Sequence, residues 1–180
     1  MPVRRSQRYW NKVLSGEERP LAKDTLHCWL WWAAKESAYK LEARLDGAPQ
    51  PFRPKRYTAL RLEKRESDWQ GLIRGVRGTY PVAWRLQPGF ILALCWRGGA
   101  PPPSWRVRPR PRAQSPGRAV RALMQQVVQD HFPEPHSWCL QAPPGGIPSV
   151  VQSNHSRSVA VSFSHHGAFV AVAWPAQLCL

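Results

Sequence analysis

The sequence predicts an α/β (α+β) fold, a long helix packed on an antiparallel sheet, and three stretches carry that expectation. Residues 25 to 45 form an apolar, helix-forming run, with Gly47 just past its end as a C-terminal stop. Residues 71–77, 79–84 and 90–96 read as three strands of a meander, punctuated by Gly78 and by Gln87-Pro88-Gly89. Near the C-terminus, strand-like runs at 158–163 and 168–174 flank Ser164-His165-His166-Gly167, which reads as a hairpin loop.

The 180 residues suit one domain over 1–180 and are enough to bury a real core. A hydrophobic fraction of 43% and ten tryptophans argue against wholesale disorder. The formal charge of +15 predicts attraction to an acidic partner: nucleic acid, anionic lipid, a phosphorylated ligand or an acidic protein. Cys28, Cys95, Cys139 and Cys179 are scattered without metal-ligand spacing, so free thiols in a reducing compartment are expected. The basic start Met1-Pro2-Val3-Arg4-Arg5 has no apolar segment behind it, and no run approaches the length of a membrane span. The expected location is cytoplasmic, with no membrane partner.

In chain order, residues 4 to 19 read as a basic, partly helical lead-in (Arg8, Tyr9, Trp10, Val13, Leu14) ended by Pro20. In the long helix, a period of 3.6 gathers Leu26, Leu30, Ala33, Ala34, Ser37, Leu41 and Leu45 on the core face. A Pro-rich turn follows at 48–54, and residues 57–64 suggest a strand. The run at 90–96 is apolar on both faces and is expected at the centre of its sheet. Residues 97–117 are rich in Pro, Arg and Gly (Arg106, Arg108, Arg110, Arg112) and read as an exposed linker within the domain. Pro116 opens a second helix that buries Val120, Leu123, Met124, Val127 and Val128, and Pro133 closes it. Residues 141 to 148 read as turn material.

Two places carry chemistry. Trp29, Ala33, Glu36 and Lys40 form a stripe along the flank of the long helix. A carboxylate and an ammonium four residues apart can hold a divalent cation and a phosphate together. The same spacing is also that of an ordinary helix pair worth roughly 0.2–0.5 kcal/mol. The second place is the hairpin, whose hydroxyl, imidazoles and Gly-permitted turn can meet a phosphate.

Trp32-Ala33-Ala34-Lys35-Glu36-Ser37-Ala38-Tyr39-Lys40 resembles the W-x-x-K-E-[AS]-x-x-K motif of the 4′-phosphopantetheinyl transferases. The run from Val161 to Ala173 is similar to their S-[IL]-S-H-x-G segment, and Gly146-Ile147-Pro148 to the G-x-P element ahead of it. This order is that of the holo-acyl-carrier-protein synthases. The resemblance implies transfer of 4′-phosphopantetheine from coenzyme A, the donor substrate, to a serine of an acidic acyl or peptidyl carrier protein. It implies Glu36 as a catalytic Mg²⁺ ligand, with Lys40 catalytic and close to the coenzyme A phosphates. Lys35 is implied near those phosphates as well, and Ser164 and His165 as grips on them. The family also carries an N-terminal strand with G-x-D or G-N-D, whose Asp is the second metal ligand. No such strand precedes Arg8, and Glu17, Glu18 and Asp24 lack its context. The resemblance therefore implies an N-terminally incomplete domain of weak activity. Two other functions are kept open: a basic nucleic-acid-binding protein with its footprint in the Arg/Pro stretch, less expected because few aromatics accompany the arginines, and a non-catalytic remnant that binds coenzyme A.

Overall fold

Two helices open the chain in the computed structural model, α1 (Gln7–Val13) and α2 (Thr25–Leu45). It describes residues 5–47, 51–65, 68–132, 134–143, 146–154 and 156–176. These residues gather in two compact units. One lies within Met1–Asp46 and Gln50–Ala100, the other chiefly within Pro101–Leu180. The architecture is mixed α and β, with antiparallel sheets.

In the first unit, Asp24 caps α2 by accepting from the backbone N–H of His27 at 2.8 Å. Past its C-terminus Gly47 takes φ +69, the left-handed conformation that a glycine adopts without penalty. The helix packs on a four-stranded antiparallel meander in the order β1 (Thr58–Arg65), β2 (Asp68–Arg74), β3 (Thr79–Gln87) and β4 (Phe90–Cys95). Leu30, Ala34 and Ala38 meet Ile73, Tyr80, Val82 and Trp84, and the Trp84 indole donates to the Leu30 carbonyl at 2.7 Å. On another side of α2, Trp10, Val13 and Leu14 pack with Cys28, Trp29 and Trp31.

That second contact explains a difference from the predicted stripe. Leu45 is 46% exposed, and the buried set includes Cys28, Trp29, Trp31, Lys35, Ala38, Glu42 and Ala43. A helix covered on two sides buries more than one stripe, charges included. The apolar run expected at the sheet centre is instead the edge strand β4. Ile91, Ala93 and Cys95 pack with the α2 core while Leu94, on the opposite face, is 5% exposed, so two covered faces do not require a central position.

The second unit is built on α3 (Pro116–His131), capped by Ser115, whose Oγ accepts from the Arg118 N–H at 3.4 Å. All five predicted core residues of α3 are buried. Two three-stranded sheets accompany it. One has the order β5 (Ser104–Pro109), β10 (Phe169–Trp174), β9 (Ser162–His166). The other runs β6 (Trp138–Gln141), β7 (Ser149–Gln152), β8 (Ser158–Ala160). Val150, Val161, Val170, Val172, Phe132, Trp138 and Trp174 complete the core with α3.

The Arg/Pro stretch 97–117 is not an exposed linker throughout, because 104–109 is the strand β5. Its alternation places Arg106 and Arg108 opposite Val172 and Val170 on the α3 side, with Trp105 and Val107 on the other. Arg106 pairs with Asp130, the Arg108 Nη2 donates to the Ala119 carbonyl at 3.2 Å, and the Arg110 Nη1 donates to the Gln114 carbonyl at 2.7 Å. The long apolar stems of arginine let it serve as a half-buried strand residue. The run at 158–163 divides at Val161, where the chain passes from one sheet to the other, and β6 and β7 were not foreseen. Pro133 and Cys179 lie outside the described residues; α3 ends at His131, and Cys28, Cys95 and Cys139 are free thiols. Among the described residues no helix is long and apolar enough to cross a membrane.

A buried carboxylate closes the far end of α2. Glu42, 4% exposed, accepts from the Arg77 N–H at 2.7 Å and the Tyr80 hydroxyl at 3.2 Å. Burial, reinforced by the Glu42 charge, pushes the Tyr80 phenol up to about 12 and the Cys95 thiol up to about 12, and raises Tyr57 in the same direction. A phenol raised in the folded state stabilises the fold below its unfolded value of about 10 and loses that contribution as pH climbs through its folded value. Stability is therefore expected to fall between about pH 10 and 12, and Tyr80→Phe should flatten that decline in urea titrations. Gly71→Ala should cost about 1–3 kcal/mol, since a Cβ there would run into the Arg61 carbonyl. Gly78→Ala, which meets only ordinary contacts, should stay within about 0.5 kcal/mol by the same titration.

Candidate functional site

The motif-bearing segment of α2 divides its charged residues between core and surface. Lys35 is fully buried: its ammonium donates to Glu18 Oε2 at 2.6 Å, the Tyr57 carbonyl at 2.6 Å and the Pro54 carbonyl at 3.1 Å. These three bonds use all its protons. Glu18, also fully buried, accepts from the N–H groups of Ser15 (2.7 Å) and Ala59 (2.8 Å), and the Ser15 hydroxyl accepts from the Glu18 N–H at 3.3 Å. This is the reciprocal Ser-x-x-Glu arrangement of a capping box, with a buried cation added. Burial pulls the Lys35 pKa down against the opposing attraction of Glu18.

Lys35, expected near phosphates, is thus an internal cross-link joining α2, the 3-10 turn Pro54–Arg56 and Tyr57 just ahead of β1 to Glu18. The reason is angular. A helix turns about 100° per residue, so adjacent Lys35 and Glu36 point different ways. The role of Glu18 as the counter-charge of Lys35 has no local signal in the sequence, at 17 residues' separation.

Glu36 and Lys40 lie on the flank. Glu36 Oε1 meets Lys40 Nζ at 2.8 Å, with the side chains 25% and 28% exposed. Aromatic rings line the neighbourhood: Trp29 stands edge-on to Trp10 and Trp32, with centroids 5.1 and 5.6 Å away. Tyr9 lies within electrostatic reach of Glu36, and Arg5 sits 5.3 Å from the Tyr9 ring centroid. Burial raises the Tyr9 phenol, with Arg5 pulling the other way and Glu36 adding to the rise. Among the described residues no three of His, Cys, Asp and Glu gather to hold a metal ion. Glu36 offers one carboxylate, the hard-oxygen type of donor taken by Mg²⁺, an ion that keeps several waters and needs few protein ligands.

In the second unit the hairpin is tighter than expected. Ser164, His165 and His166 belong to β9, and the turn is Gly167-Ala168 with Gly167 at φ +54. Successive strand residues face opposite sides. His165, exposed, stands beside Val170 on the α3 face, whereas Ser164 stands beside Ala171 on the other. The two do not share a face, so they do not form one grip. The G-x-P segment is tied to the same chain passage, because Pro148 accepts from the Val161 N–H at 3.0 Å. Glu36 and Lys40 belong to the first unit, and Ser164 and His165 to the second.

Lys35→Met, which leaves the Glu18 charge buried without its partner, should cost about 3–5 kcal/mol. Adding Glu18→Gln should recover part of that loss, and Lys40→Ala should stay within about 1 kcal/mol. Urea unfolding of the four proteins checks the ranking. No family model, curated protein or solved structure matches this chain.

Proposed function

We propose that the chain is a 4′-phosphopantetheinyl transferase-like protein of the holo-acyl-carrier-protein synthase type. It moves 4′-phosphopantetheine from coenzyme A to a serine of an acyl or peptidyl carrier protein. The observation that carries the reading is the half-exposed Glu36–Lys40 pair, set on one helix flank within the W-x-x-K-E-S-x-x-K segment while Lys35 turns inward. Mg²⁺, when bound, would supply charge neutralisation at the phosphates. Glu36 would hold it, and Lys40 would stabilise phosphate charge as it develops. The positive charge favours rapid encounter with an acidic carrier protein.

With one carboxylate assigned to the metal, transfer is expected to be slow, since a misplacement of about 1 Å can cost about 10²-fold. The nucleic-acid reading loses much of its expected footprint, because Arg106 and Arg108 engage α3 and Arg110 bonds the Gln114 carbonyl just ahead of it. The assay follows labelled phosphopantetheine onto an acyl carrier protein with and without Mg²⁺. Slow, Mg²⁺-dependent transfer is expected, abolished by Glu36→Gln and reduced about 10²-fold by Lys40→Ala. Transfer unchanged by Glu36→Gln would refute the metal assignment. Coenzyme A binding without any transfer would identify a remnant.

A further inference from the structure

We propose that Arg106, His131 and Trp174 form a proton-sensitive latch at the C-terminal end of α3. It is closed on strands β5 and β10 while the His131 imidazole is neutral, and it releases when the ring gains a proton. Arg106 reaches α3 with both arms of its guanidinium: Nη1 pairs with the Asp130 carboxylate, and Nη2 lies 2.9 Å from His131 Nε2. Its cross-strand partner on β10 is Val172, and two residues on, Trp174 occupies the same α3-facing side. Trp174 is 5% exposed, and its ring lies against that of His131, with centroids 5.5 Å apart and planes 30° from parallel. One imidazole is therefore shared by the last turn of α3, the edge strand β5 and the central strand β10.

The contact with Arg106 fixes the state of the ring. A guanidinium has only donors and stays charged, so His131 Nε2 must accept. The imidazole is then neutral, with its proton on Nδ1. A second proton would set N–H against N–H and bring two cations into contact, and the bond cannot survive it. The groups around the ring differ in sign. Arg106, from β5, opposes an imidazolium, whereas Asp130 of α3 and the carbonyls of the helix end favour one. The 3-10 turn Pro135–Ser137, packed on α3, brings exposed His136, preceded by exposed Glu134. On β10 only the uncharged Trp174 ring meets the imidazole, and β6 carries no charged residue. His165 and His166 of β9 stand beside Val170 and Phe169, towards the other end of β10. Protonation thus exchanges partners: His131 turns from Arg106 to Asp130 and the helix carbonyls, while Arg106 keeps its bond to Asp130. Two partner sets that differ by one proton are what a switch requires.

The latch needs nothing from the transferase reading. An NMR pH titration of the full chain tests it, following the His131 ring, the Arg106 Nε–H and the Trp174 indole together. All three should change with one midpoint. Protection of the β5 amides against hydrogen exchange, corrected for the intrinsic pH dependence, should fall about tenfold across that midpoint, the worth of one charge-assisted bond. In His131→Gln the side-chain carbonyl accepts from Arg106 at any pH. There the Arg106 and Trp174 responses and the loss of protection should vanish. His136→Gln, which alters the exposed neighbour, should preserve them. If His131→Gln does not fold, the titration of the unmodified protein decides alone. An Arg106 signal that stays fixed while His131 titrates overturns the latch, and so does a pH response that persists in His131→Gln.

Discussion

The first unit depends on the buried Glu18–Lys35 pair. Two charges out of water are tolerated only because each carboxylate oxygen and each ammonium proton has a partner. Those partners come from four places in the chain: Ser15, α2, the turn at Pro54–Arg56 and the start of β1. The pair therefore specifies how the N-terminal segment and β1 lie against α2. Replacement by apolar residues of similar volume need not destabilise the protein, whereas removing one partner alone must. The geometry that results leaves Glu36 and Lys40 on the remaining exposed flank of a helix covered on its other sides.

A second constraint is how a strongly basic chain places its arginines. In β5 they alternate with Trp105 and Val107, cover part of the α3 surface with their stems and bond to backbone carbonyls or Asp130. The cations at 106–110 are thus part of the fold, and the charge that reaches solvent comes from elsewhere, such as exposed Arg8, Lys12, Arg53, Lys55 and Arg56.

Helix ends were the most legible features. Gly47 and Pro116 carry local stop and start signals, and α2 ends just before the first while α3 begins at the second. The meander was legible for the same reason, since Gly78 and Gly89 mark its turns. What the sequence hid was non-local. The contact between α1 and α2 buries a second side of the long helix, and the period-2 pattern of β5 is written in Arg rather than in apolar residues. The short strands β6 and β7 offer too few residues to show alternation. In the candidate site, the motif letters point to Glu36 and Lys40. They could not tell that Lys35 points inward or that Ser164 and His165 face opposite ways, because both facts follow from backbone geometry.

The proposed function divides labour between two lysines of one motif: Lys35 holds the fold, and Lys40 is proposed to meet the ligand. Lysine ε-ammonium resonances, followed by NMR while coenzyme A is added with Mg²⁺, test it directly. Lys35 should give a slowly exchanging signal that stays fixed through the titration, while Lys40 shifts progressively to saturation. A Lys35 resonance that moves with coenzyme A while Lys40 stays still would contradict the account.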